Sequence, residues 1–166
     1  MKHSRRFSVY TPVIIAAFVL FSVLCSNETR ADKNDSAIGE KIAGTYLLNE
    51  DDDGGSRIVT ITSDGCWFGI HSYQLENKFS NQQGVWRKEG KRKITVSTLN
   101  FSLLKDGVGS SRFTFTVEFD REYQQISGEL FGKLFPPGVD PSDPLAVPIK
   151  TFSNSFTGKR LIVTDN

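Results

Sequence analysis

Polar and apolar positions alternate most strictly at 112–119. Phe113, Phe115, Val117 and Phe119 fall on one side, and Arg112, Thr114, Thr116 and Glu118 on the other. A two-residue period of this kind describes a strand with one buried and one wet face, as in an antiparallel sheet. Further strands are expected at 44–48, 57–62, 66–73, 83–88, 93–104, 125–135 and 150–163. Turn signals separate them at 49–56, 63–65, 89–91, 105–111 and 120–123, the spacing of a sandwich or barrel. No segment sustains a helical period. The expected fold class is all-β: about eight antiparallel strands in an up-and-down barrel, following an N-terminal signal helix.

Two stretches break the simple alternation. At 94–103, Ile94 and Val96 share one parity while Leu99, Phe101 and Leu103 share the other. This phase change predicts a β-bulge near Thr98, bending the strand as a closing barrel requires. Gly128 and Gly132 serve the same expected need for sharp coiling. The segment 136–148 carries Pro136, Pro137, Pro141, Pro144 and Pro148, and reads as a long stiff loop able to act as a lid or partner contact.

The N-terminus has a different pattern. Lys2, Arg5 and Arg6 precede an apolar run at 13–24, too short for a span of about 20 residues and suited to a signal peptide. Thr29 and Ala31 place small residues at the −3 and −1 positions of a cut after Ala31. Residues 1–31 therefore read as a signal peptide, with an uncleaved N-terminal membrane anchor as the alternative. The twin-arginine pattern fails at Ser8, and a lipoprotein signal fails at Leu24, before Cys25. The expected location is exported, periplasmic or secreted, with membrane contact only through an uncleaved leader. Residues 32–40 read as a flexible segment and 41–166 as the barrel domain.

Composition narrows the function classes. The whole chain has a formal net charge of +1. Removing the leader takes away Lys2, Arg5, Arg6 and Arg30 against the single acid Glu28, so the body lies on the acidic side. No basic stripe remains to follow a phosphate backbone, which argues against nucleic acid. The body retains one cysteine, Cys66, so no internal disulfide forms and stability must come from a packed core.

The residues 41–46, Lys-Ile-Ala-Gly-Thr-Tyr, resemble the opening of lipocalins, where an apolar pair precedes Gly-x-Trp on the first strand. The resemblance implies that Tyr46 plugs the closed barrel end and Arg160 on the last strand packs over it, a structural cation–π pair. Avidin-like barrels open similarly on Gly-Thr-Trp. The chain as a whole is similar to exported bacterial proteins of lipocalin-like (calycin-type) layout and unassigned function, through Phe79–Trp86 and Phe156-Thr157-Gly158. This supports the fold and implies no activity.

No catalytic motif stands out, and no catalytic residue is expected. Cys66 and His71 lie five apart on one strand, hence on opposite faces, which excludes a Cys–His dyad. Asn49, Asp51, Asp53 and Gly54 match the early positions of a calcium loop, making calcium the alternative to no cofactor. Thr60 stands where that loop needs a bidentate Glu, and an acidic hairpin turn is the simpler reading. Among the aromatics, Trp67, Tyr73, Trp86, Phe113 and Phe115 are the candidates for a ligand cavity, since eight-stranded barrels can enclose one small molecule. The leading expectation is an exported non-enzymatic barrel binding a small apolar ligand. The alternatives are an interaction or scaffold protein with a filled core, and a barrel enzyme of the cyclase or isomerase kind. Oligomeric state is not legible.

Overall fold

The computed structural model describes residues 33–164 apart from Asp53. The leader and the Asp53 corner of the acidic turn lie outside the described residues. A helix α1 (Lys33–Ile42) leads into β1 (Gly44–Glu50), β2 (Ser56–Ile61) and β3 (Cys66–His71). A one-turn helix α2 (Gln74–Asn77) precedes β4 (Gln82–Lys88), β5 (Lys93–Leu104), β6 (Gly107–Phe119), β7 (Gln125–Phe135) and β8 (Lys150–Arg160). Each strand pairs antiparallel with the next, and β1 pairs with β8, so the sheet closes into an eight-stranded up-and-down barrel.

Three local expectations are corrected. Residues 33–40, expected to be flexible, form most of α1, whose Ile38 and Ile42 are buried in the core. Only these two apolar residues mark its buried face, four apart, too few to register as a period in the sequence. The second correction concerns β5, which contains no bulge. Its register with β6 runs unbroken from Lys93↔Glu118 to Leu104↔Gly107. The inner face of β5 is apolar at Ile94 and Val96 and polar at Thr98, Asn100 and Ser102, while Leu99, Phe101 and Leu103 face outward. The change of pattern is thus an inversion of what each face contacts. The expected loop 105–111 is also shorter, because Lys105 and Asp106 alone make the turn and Gly107, at φ 132°, supplies the conformation that closes it.

The closed end is built on α1. Tyr46 donates its hydroxyl to the Ile42 carbonyl at 2.9 Å and meets Phe119 edge-on at 6.0 Å. The Arg160 guanidinium lies 5.9 Å from the Tyr46 ring centroid and donates to the carbonyls of Lys41 and Ala43. These bonds satisfy carbonyls that a helix C-terminus otherwise leaves open, and a cation there suits the helix dipole. Burial pushes the Tyr46 phenol above its usual pKa, with Arg160 partly opposing it. Above this plug, Leu48, Val59, Trp67, Val96, Phe115 and Phe156 fill the lumen. Gly128 and Gly132 allow close approaches there: a Cβ on Gly128 would sit 2.0 Å from the Thr116 carbonyl oxygen and 2.8 Å from Phe156 Cζ, and one on Gly132 would meet the Phe113 ring.

Candidate functional site

Interior side chains change character halfway along the barrel. The boundary is Arg57, which points inward from β2 and crosses the lumen. Its guanidinium carbon lies 5.5 Å from the centroids of both Phe113 and Phe115. Its Nε donates to Glu50 Oε1 and its Nη1 donates to Gln82 Oε1 at 2.7 Å. Arg57 therefore roofs the aromatic core and floors a cavity of about 600 Å³ open to the mouth.

Glu50 is the hub of this floor. Besides Arg57, it faces His71 Nε2 at 3.3 Å and accepts from Asn154 Nδ2 at 3.2 Å. His71 Nδ1 accepts the Tyr73 backbone N–H at 3.0 Å. An Nδ1 acceptor beside an Nε2 that faces a carboxylate assigns the neutral Nε2–H tautomer, with both ring nitrogens engaged. Burial of Glu50 opposes its ionisation, but His71 and Arg57 together outweigh that cost and hold the carboxyl below the ordinary carboxylate range.

The cavity walls combine polar and aromatic groups. Asn100, Ser102 and Ser111 contribute amide and hydroxyl groups, with the two serine oxygens 3.3 Å apart. Tyr73 and Phe79 flank His71 at 5.5 and 5.7 Å, and Phe113 stacks on Phe152 at 6.0 Å. At the rim, Lys150 lies 4.8 Å from the Phe152 centroid, and Asp52 also lines the cavity.

Among the described residues, three interior polar atoms have no hydrogen-bond partner: Trp67 Nε1, Thr98 Oγ1 and Asn100 Oδ1. Their residues are 0, 1 and 6% exposed. The pairings Trp67↔Gly84 and Gly84↔Thr98 put two of them on one rung, on either side of a glycine. Asn100 lies one inward position nearer the mouth and lines the cavity. Natural cores seldom leave such atoms unpaired, since each costs about 1–3 kcal/mol. Thr98→Val keeps the shape and removes the lone hydroxyl. It is expected to raise the stability of ligand-free protein by about 1 kcal/mol, read as a shifted denaturant midpoint. A lower midpoint would show that the hydroxyl is satisfied.

Of the aromatics singled out in the sequence, Tyr73 and Phe113 line the cavity. Trp67 and Phe115 stack at 5.4 Å beneath it in the filled core. Trp86 is buried in the core and donates its indole N–H to the Thr62 carbonyl at 2.9 Å, away from the cavity. The five do not form one site. In the acidic turn, Asn49 accepts from the Ser56 hydroxyl and Asp51 from the Ser155 hydroxyl. Among the described residues, no three His, Cys, Asp or Glu side chains converge to hold a metal. Glu50, Arg57, Gln82 and Asn100 were not singled out in the sequence. Two signals were available: Glu50 continues the inward parity of Tyr46 and Leu48, and Thr98 and Asn100 continue that of Ile94 and Val96.

No protein-family model matches the chain, and comparison with curated proteins finds no match. Among solved structures, the chain is similar to the X-ray structure of a biotin-binding protein from chicken. The identity is 15%, the match covers 73% of this chain and 98% of that one, and the TM-score is 0.47. The fold assignment rests on the strand pairing, which closes the barrel directly.

Proposed function

We propose that this chain is an exported, non-enzymatic binding barrel that holds one small, uncharged polar molecule in the mouth cavity. The observation that carries the reading is the polar lining of that cavity, where Asn100 Oδ1 has no hydrogen-bond partner among the described residues. Asn100 Oδ1 offers an acceptor, and the Ser102 and Ser111 hydroxyls can donate or accept. A ligand with a donor and an acceptor close together, such as an amide or a polyol, matches that set. The charges lining the cavity, Glu50 and Asp52 against Arg57 and Lys150, cancel, which favours a neutral occupant. The volume falls within the usual range for small-molecule sites. An apolar ligand suits this cavity less well, because its floor is an ion pair and the apolar half of the lumen is already filled.

The floor of the cavity offers the enzyme alternative no free base among the described residues. Both His71 nitrogens are engaged, and Glu50 is held ionised by several donors. These groups act as a fixed floor rather than an acid–base couple.

Native mass spectrometry of the protein recovered from its export compartment tests the reading, followed by calorimetric titration with neutral amides, polyols and fatty acids. A polar occupant is expected, with affinity at least about tenfold weaker in Asn100→Leu, which removes one hydrogen bond to the ligand. Fatty-acid binding unaffected by Asn100→Leu would overturn the polar assignment. An empty barrel that no probe perturbs would leave the scaffold reading in its place.

A further inference from the structure

The segment between β3 and β4 does more than connect them. α2 ends at Lys78, whose φ of 53° turns the chain back along β5. There the Leu103 N–H donates to the Lys78 carbonyl at 2.9 Å, the Ser80 N–H donates to the Phe101 carbonyl at 2.8 Å, and Phe79 forms a bridge with Ser102. The regular β4–β5 ladder begins at Gln83↔Leu99. Four steps of chain separate Phe79 from Gln83, against three from Leu99 to Ser102. The extra residue makes a β-bulge, a device that re-aims side chains. Strict alternation from Gln82 would turn Phe79 outward. With the bulge, Phe79 and Gln82 both line the mouth cavity, while Ser80, Asn81 and Gln83 lie on the outer surface.

The bulge completes one of two aromatic walls. Phe79 and Tyr73 stand on either side of His71, and all three line the cavity. The second wall is Phe113 on β6 with Phe152 on β8, which meet across Gly132 on β7, the partner of both. A Cβ on Gly132 would collide with the Phe113 ring, so that ring lies over the glycine. Tyr73, Phe79, Phe113 and Phe152 are only half-buried, and each keeps ring surface open. Between the two walls, β5 and β6 supply a polar strip. Asn100 pairs directly with Ser111, and Ser102 lies one inward position nearer the mouth.

We infer that the occupant of the mouth cavity is a planar heteroaromatic ring with a lactam edge. Its faces lie against the aromatic walls, and its N–H and C=O meet the polar strip. This rests on the reading of the barrel as a binder of a neutral polar molecule, and it narrows the shape of that molecule. Stacking rewards a flat aromatic face over a puckered one of equal size. The Ser102 and Ser111 hydroxyls both donate and accept, as the two halves of a lactam edge require. A volume of about 600 Å³ admits a bicyclic ring system. A polyol would satisfy the strip and leave both walls unused.

Calorimetric titration of the barrel exported from the full chain tests this with two probes, a quinolone lactam and its fully saturated counterpart. The two share one amide edge and differ in whether the rings are flat. The aromatic lactam is expected to bind at least about tenfold tighter. Phe79→Leu keeps apolar bulk and removes the ring face. It should erase most of that preference while weakening the saturated lactam by less than about twofold. Equal affinity for the two lactams, or a preference that Phe79→Leu leaves intact, overturns the inference and leaves the polar-binding reading standing. Binding of acyclic amides with neither lactam does the same. A barrel that no neutral probe enters removes both.

Discussion

Glu50→Gln is expected to destabilise the barrel by about 3–5 kcal/mol, because it removes one charge of a buried ion pair, the carboxylate that accepts from Arg57. The loss should exceed that of an ordinary surface ion pair such as Lys93–Glu118, where solvent screens both partners. Replacing the pair together, Glu50→Leu with Arg57→Met, should recover most of the stability, since a well-packed apolar pair often matches a buried ion pair. Equilibrium denaturation of the three proteins checks this. A single-variant loss under about 1 kcal/mol would show the floor to be solvated rather than closed.

The same carboxylate gives the parent an acid-sensitive term. The folded-state pKa of Glu50 is depressed, so its contribution is fully present above the ordinary carboxylate range. It is lost as pH falls through the lower, folded value. The parent should therefore lose stability across that acidic window more steeply than Glu50→Gln, and the two curves should converge at the acid end. Parallel curves would assign the acid sensitivity to other groups.

Phe115→Ala is expected to cost about 3–5 kcal/mol, comparable in size but different in kind. Phe115 is fully buried and touches the rings of Trp67, Phe113 and Phe156. The surrounding strands are locked in a closed ladder and relax little around the lost ring, so most of the space remains as a cavity. The substitution also removes a ring beneath Arg57, so the floor above loses a support. Glu50→Gln acts through charge and depends on pH, whereas Phe115→Ala should show a nearly constant loss from neutral pH into acid. A pH-dependent loss in Phe115→Ala would mean that core and floor are one energetic unit.

The barrel was legible in the sequence because a two-residue period is a local property, and β6 displays it without interruption from Arg112 onward. The strand at β5 was placed although its alternation changes phase, because turn signals bound it on both sides. The site was harder to read. Thr98, Asn100 and Ser102 looked like a solvent face because the apolar residues between them dominate the pattern. Which side is the lumen depends on strands distant in sequence. Glu50 looked like part of an acidic turn, since its neighbours Asp51 and Asp52 are exposed. Only closure of β1 onto β2 and β8 brings it against Arg57 and Asn154. The helix was missed because its amphipathic face consists of two isoleucines, and its end is secured by Arg160, more than a hundred residues away.

The clamp of Tyr46 and Arg160 on α1 also fixes which way the barrel is wired. β1 starts at that plugged base and β8 finishes there, so the strand path enters and leaves on the side opposite the cavity. A fluorophore, affinity handle or bead joined just before α1 or just after residue 164 sits behind the molecule. Immobilised by either route, every copy would turn its open end toward the solution, ready for sampling by a sensor surface.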